Sequence, residues 1–379
     1  MNRMGAGFNY AFVDGYYVGK KLTIPSCVNF IEMGIAELKR ACNESWLQNI
    51  DFSLHLSRTP VTEAANVQDA FIDFILDILD NIPHDIRKNL ASIGLHLTGS
   101  RFTGNGLLGG ADTYAPSNKN LDHTFRFIQQ LKLRTNLDIW LENANFYSLK
   151  PEDIVGSWDH VKQVCESEKC GIIFDVAHAI IEASNNDLPP DFILGCVPWA
   201  YIKEFHLSGI TSGKDGSMHD GHDSKIADSV WKMLTTCQKL IQTTQNNKII
   251  YTIEHTAPSW VQKSDLFESE FKTLETFLSS SPVRKCYSEN RDQYMRRYLQ
   301  KMASGRIPLL EQACEQRGMS LSDLMNIWLD TLSKKGERVV FDADEIPKKE
   351  RDRAKVLTVD FLEFAKKELE ISGSHCNDC

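Results

Sequence analysis

The sequence predicts an α/β protein, a (β/α)8 TIM barrel carrying a C-terminal helical extension. Two observations predict it: eight short apolar runs rich in β-branched residues, and amphipathic helical spacing between most of them. The runs are "GAGFNY" (5–10), "CVNFIEM" (27–33), "IDFSLHLS" (50–57), "SIGLHLTG" (92–99), "LDIWLENA" (137–144), "GIIFDVAH" (171–178), "YIKEFHLSG" (201–209) and "KIIYTIEH" (248–255). Val67, Ala70, Phe71, Phe74, Ile75, Ile78 and Leu79 recur at three- and four-residue spacing, as do Ile226, Val230, Trp231, Leu234 and Cys237. Strands alternating with helices pair in parallel, and eight of them close a barrel near residue 280. The first crossover is short and glycine-rich, so its helix is the weakest expectation.

From about residue 289 the pattern becomes charged and helical, as in "ENRDQYMRRYLQKMAS", "IPLLEQACEQRG" and "SLSDLMNIWLDTLSKKG". Ser320 is placed as the N-cap of the last of these, with Asp323 three residues on. The expected division is a barrel over 1–284 and a helical extension over 285–379. Its amphipathic faces suit capping the barrel as well as docking a partner or a peptide.

Composition narrows the function. The 379 residues are 42% hydrophobic and 25% charged, ordinary for a soluble protein, and the net charge of −9 offers no footprint for nucleic acid. No run of about 18 uncharged apolar residues marks a membrane span, and "MNRMGAGFNY" lacks the apolar core of a signal peptide. A cytoplasmic location is therefore expected. Ten cysteines are scattered; only Cys376 and Cys379 have C-x-x-C spacing, in a polar tail. That pair could bind metal or form a disulfide, but a frayed terminus is the plainer reading.

The chemistry lies at the strand ends, the functional face of such a barrel. Runs three to eight end with His55, His96, Glu142, Asp175 followed by His178, His206 and Glu254, and the loop after run seven adds His219, Asp220 and His222. Any one of these alone is most often a satisfied structural group. Together they are not, because only Arg58, Arg101 and Lys203 stand nearby to neutralise four carboxylates. Bound cations resolve the repulsion, and a mixed imidazole and carboxylate set suits Fe, Mn or Zn over Mg or Ca. Nine candidates exceed what one ion takes, so two or three ions bridged by carboxylates are expected. Asp220 and His222, in D-x-H spacing, share one side of an extended segment, while His219 alternates away from them. Asp223 or Ser224 is placed as the N-cap of the helix that follows. His84, His123, His160, His219 and His255 are treated as bystanders.

With these residues in hand, the chain resembles the multinuclear non-haem iron-dependent oxidative enzymes, the family of MbnB and TglH. The matching segments are "GFNY", "LHLS", "LHLTGSRF", "LENANFY", "FDVAHA", "EFHLSG", "DGHD" and "IEHT", in order over residues 5 to 256. One position departs: the family usually carries Asn where this chain has His178, so the geometry and potential of that ion are expected to differ. The resemblance implies a xylose-isomerase-like barrel holding two or three irons, Fe(II) and Fe(III), with O2 as co-substrate. It implies a ribosomally made, cysteine-containing precursor peptide as substrate, modified through hydrogen abstraction at the cysteine β-carbon, with outcomes such as β-carbon excision or heterocycle formation. It also implies a small partner protein that binds the leader peptide. Glu142, His206 and Glu254 are expected at the catalytic centre. Two rivals stand beside this reading. One is a metal-dependent sugar isomerase or hydrolytic enzyme on the same barrel, its nucleic-acid version opposed by the acidic charge. The other is a binding module with structural metals, opposed by the number of candidate ligands.

Overall fold

The computed structural model describes residues 2–8, 22–43, 45–99, 113–144, 151–213, 216–242 and 249–279, with a few positions between 312 and 327. All eight expected strands are there, trimmed at their ends: β1 (Arg3–Gly7), β2 (Phe30–Met33), β3 (Asp51–Leu56), β4 (Leu90–Leu97), β5 (Asp138–Asn143), β6 (Gly171–Asp175) and β7 (Ile202–Leu207), with Ile250–Ile253 as the eighth. Two more stand outside the expected series. β8 (Gly209–Ser212) and β9 (Met218–Gly221) form an antiparallel hairpin, so the eighth barrel strand is β10.

The barrel closes in the order β1-β10-β7-β6-β5-β4-β3-β2, with β2 returning to β1, and every pair is parallel. Strands buried on both faces need continuous apolar runs, and β2 and β6 are buried at every position. Phe30, Trp140, Ile173 and Ile250, from four different strands, meet as one apolar cluster in the interior. The register aligns His96 with Glu142 and Asp175 with His206, so polar residues reach a common level at the carboxyl ends.

The Ala65–Asp80 helix forms where expected but buries a different stripe. Gln68, Ile72, Ile75, Ile78 and Leu79 are buried, whereas Val67 and Phe74 are 43% and 46% exposed. Gln68 is stable in its inner place because it donates to the carbonyls of Val61 (3.1 Å) and His123 (3.0 Å). The Asn118–Thr135 helix starts on Ser117, whose hydroxyl accepts from the Asn120 N–H, and ends on left-handed Asn136.

The helix after the hairpin corrects the sequence reading. It spans Asp228–Gln242, and neither Asp223 nor Ser224 caps it. Ser224 instead closes a turn onto the Gly221 carbonyl, and the Asp223 carbonyl accepts from Lys263 Nζ. The Ile226 N–H donates to the Glu270 carboxylate at 3.1 Å, a partner 44 residues away that local sequence could not reveal.

The chain divides into two compact units, Met1–Asn186 with Cys196–Val283, and Asp187–Gly195 with Arg284–Cys379. The first holds the barrel; in the second, Cys314 and Leu324 are buried. The expected first crossover, the Ser320 cap, Arg101 and the Cys376–Cys379 pair lie outside the described residues, as does most of the expected extension. Among the described residues no helix is long and apolar enough to cross a membrane.

Candidate metal centre

The barrel mouth brings all nine candidate ligands into one cluster, held by two kinds of support. His55, His96, Glu142, Asp175 and His206 sit within the last residues of β3, β4, β5, β6 and β7, and Glu254 directly follows β10, its N–H bonded to the Leu207 carbonyl. His178 comes from the first turn of the Val176–Asn185 helix. Asp175 caps that helix, Oδ1 accepting from the His178 N–H at 2.7 Å, which leaves Oδ2 to the mouth. Asp220 is on β9 and His222 just past it. The hairpin is tied to the same helix by Asn185, which bonds both the N–H and the carbonyl of Met218.

Glu142 is the hub. One oxygen, Oε2, lies 3.3 Å from His55 Nε2 and 3.4 Å from His96 Nε2; the other, Oε1, lies 3.2 Å from His178 Nδ1 and 3.5 Å from His206 Nδ1. Each oxygen thus faces its own pair of imidazoles. Donor atoms of His55, His96 and Glu142 lie within 4.8 Å of one another, and so do those of Glu142, Asp175, His206 and Glu254. On the hairpin side, Asp220 Oδ2 stands 3.4 Å from His178 Nε2 and 2.5 Å from His222 Nε2.

The surroundings fix which nitrogens face inward. His178 Nδ1 is 2.8 Å from the Asn143 carbonyl as well as 3.2 Å from Glu142 Oε1, His222 Nδ1 is 2.8 Å from the Glu254 carbonyl, and each Nε2 is turned to Asp220. Trp260 holds the His222 backbone, its indole N–H donating to that carbonyl at 2.6 Å.

A set of buried donors fits cations when its own hydrogen bonds do not satisfy it. Both oxygens of Glu142, Oδ2 of Asp175, Oε2 of Glu254 and both ring nitrogens of His55 and His206 are buried without a hydrogen-bond partner. The electrostatics show the same crowding. Burial raises Glu142, but His96, His206 and His55 outweigh it and hold the carboxyl well below its usual range. Burial lifts Asp175 to about 7, against His178 and with Glu142 and Asp220 adding repulsion. His55 is driven down to about 3, chiefly by burial. Burial opposes charge on His222, yet Asp220 and Glu254 raise it to about 10.

Two acidic residues at this level escape a reading of strand ends. Glu32 on β2 and Glu204 on β7 are both buried; Glu32 Oε2 is 2.8 Å from His206 Nε2, and the Thr252 hydroxyl donates to Glu204 Oε1. Period two along "KEFHL" already puts Glu204 on the face of His206. Glu32 is the one charge in "CVNFIEM", inside a run that reads as buried strand.

Four of the five bystanders have partners elsewhere. His123 Nδ1 meets the Thr62 carbonyl, His160 pairs with the Tyr114 hydroxyl, and His219 Nε2 meets the Ser217 hydroxyl on the hairpin. His255 is buried against Glu270 and stacks on Trp260, 3.9 Å between ring centroids.

Comparison with known proteins bears on this mouth directly. Residues 114–260 match the family described as "RiPP precursor modification enzyme MbnB/TglH/ChrH". Over those residues the chain is similar to this family. The matched stretch contains Glu142, Asp175, His178, His206, Asp220, His222 and Glu254. Curated relatives include UPF0276 proteins of Rhizobium meliloti (29% identical over 97 residues, 24% of this chain and 31% of that protein) and Shewanella loihica (26% over 115 residues, 30% and 41%). The chain spans about a third to two fifths of the length of these curated relatives. Among solved structures, a xylose isomerase domain containing protein of Salmonella typhimurium aligns at 10% identity and TM-score 0.48, covering 73% of this chain and 97% of that one. A D-allulose 3-epimerase of Methylomonas sp. aligns at 14% identity and TM-score 0.46, covering 73% and 96%.

Proposed function

We propose that this chain modifies a ribosomally made precursor peptide, oxidising a cysteine residue with two or three irons and O2. The observation that supports it best is Glu142, whose two buried oxygens each face a separate pair of imidazoles. On this reading His55, His96 and Glu142 hold one ion, and Glu142, Asp175, His206 and Glu254 hold the next. His178, Asp220 and His222 hold the third.

Iron bound there supplies one-electron chemistry with O2, which imidazole and carboxylate side chains cannot supply themselves. The chain's own residues do the rest. Four carboxylates would balance the cations, Glu142 would serve two of the ion groups, and Asp175 ties the helix bearing His178 to the mouth. Glu254 and His206 flank Glu142 and so define the catalytic centre. The β8–β9 hairpin carries Asp220, and His222 just past it, to the mouth. A leader-binding partner protein belongs to this reading through the family resemblance alone, and a cytoplasmic location through the sequence expectation alone.

The test is co-expression with candidate cysteine-containing peptides, read by mass spectrometry, alongside metal analysis of protein loaded anaerobically with iron. Two or more irons per chain and an O2-dependent mass change in a peptide are expected. Protein that takes only zinc or magnesium, or that isomerises a sugar without O2 and leaves every peptide unchanged, sinks the proposal.

A further inference from the structure

Glu32 is a buried carboxylate, 3% exposed, set between Ile31 and Met33 on a strand that is otherwise wholly apolar. Such a group is costly to bury unless its partners need it. Its two oxygens face two imidazoles: Oε2 lies 2.8 Å from His206 Nε2, and Oε1 lies 3.5 Å from His55 Nδ1. Those same rings turn their opposite nitrogens to Glu142. His206 presents Nδ1 to Glu142 Oε1 at 3.5 Å, and His55 presents Nε2 to Glu142 Oε2 at 3.3 Å. The two rings stand 5.5 Å apart between centroids, so one carboxylate reaches behind both.

We infer that Glu32 is a positioning residue that sets which nitrogen of His55 and His206 faces the metals: Nε2 in the first and Nδ1 in the second. The inference rests on the metal-centre reading above and deepens it. A ligating imidazole carries its remaining proton on the other nitrogen, and an acceptor behind that proton fixes both tautomer and ring orientation. As they stand these contacts lack hydrogen-bond geometry, yet one carboxylate within 2.8 and 3.5 Å of two ligands on opposite ring nitrogens explains why a strand of core residues carries a charge at one position. Glu204 is less well placed for the role. It lies 3.6 Å from His206 Nε2 and its Oε1 already accepts the Thr252 hydroxyl.

The competing account makes Glu32 a ligand. Donor atoms of Glu32, Glu204 and His206 also lie within 4.8 Å of one another, close enough to share an additional ion. Zinc separates the two, because it is diamagnetic and can be counted. The metal-free full-length chain is titrated with zinc against a chromophoric chelator, and the zinc-loaded protein is observed by 15N-histidine NMR. In the parent protein His206 is expected to be ligated through Nδ1 with a proton on Nε2, and His55 the reverse. Glu32→Leu is expected to keep the zinc stoichiometry and weaken binding about 10- to 100-fold, the usual effect of losing such a support. Glu32→Gln has one acceptor oxygen instead of two, so it is expected to weaken binding less than about 10-fold and to disturb the protonated nitrogen of only one ring.

Loss of a whole zinc equivalent in Glu32→Gln overturns the inference and makes Glu32 a ligand. Unchanged affinity in Glu32→Leu, or unchanged signals from both rings in Glu32→Gln, overturns it as well. The Gln variant keeps the volume and decides the matter even if the Leu variant does not fold. A parent chain that binds no zinc or iron at all takes down the metal-centre reading itself, a different failure from the others.

Discussion

The mouth of the barrel is built by two regions that are held in different ways. On one side, His55, His96, Glu142 and His206 are parts of the closed parallel ladder, fixed by strands buried on both faces. On the other, Asp220 on a two-stranded hairpin and His222 just past it are held by contacts to neighbouring elements, among them Asn185 to Met218, Ser208 to Asp220, Trp260 to the His222 carbonyl, and Ile210 and Met218 packed on Ala144 and Ile181. Donors on the ladder thus share the stability of the closed barrel, whereas those on the hairpin side depend on how the hairpin packs against its neighbours. Opening of the hairpin costs less than opening of the barrel, so metal occupancy on that side is the more readily lost.

The largest effect is expected at the hub. Glu142→Ala removes a donor shared by two ligand groups and leaves four imidazoles without their common partner, so at least two metal equivalents per chain are lost. Metal analysis of the purified variant checks it, and full occupancy would remove Glu142 from both groups. A smaller loss, one equivalent, is expected for Asp220→Ala or His222→Ala. Their thermal midpoint in the metal-free state should stay close to the parent's, since neither belongs to the barrel ladder. If either abolished all binding, the two sides would be one cooperative unit and the contrast would fall.

Gly221→Ala probes the hairpin without touching a donor. A Cβ there would press on Ser224 Oγ, well inside contact distance, and one on its ladder partner Gly209 would press on the same atom. Crowding of this kind costs about 1–3 kcal/mol. Hydrogen exchange should speed up in β8 and β9 while the amides of β4 and β5 keep their protection. Equal acceleration in both regions would show that the hairpin is not an independent unit.

The mildest test is pH. His222 is raised to about 10, and Asp175, Glu32 and Glu142 help lift His178 and His206, so these three rings hold extra protons at neutral pH when no metal is bound. Burial works against each of those protons and the surrounding carboxylates outweigh it. Metal must displace them. Zinc affinity should therefore rise from pH 6 to pH 8, with proton release visible in titrations run in buffers of different ionisation enthalpy. Affinity that falls across this range would contradict the shifts.

The strands and the nine donor candidates are legible in the sequence because they follow local rules: apolar runs end, and a charged or imidazole residue follows. What stays hidden depends on distance along the chain. Glu270 caps Ile226 from 44 residues away, and nothing near Ile226 announces it. The stripe on Ala65–Asp80 is displaced by a small rotation, because Val67, Phe71 and Phe74 satisfy the helical period as well as the buried set does. Glu32 escapes notice since a lone carboxylate inside an apolar strand has no motif, only a neighbourhood.

Asp175 answers to two masters. One oxygen starts a helix and the other belongs to the mouth. Asparagine there would keep the first duty and surrender the negative charge of the second, while glutamate would keep the charge and push the cap out of reach. Position 175 is therefore constrained twice: its side-chain length by the start of the helix and, on the proposed function, its charge by the ions. Position 178, one turn further on, carries other demands: its N–H completes the Asp175 cap and its Nδ1 lies 2.8 Å from the Asn143 carbonyl.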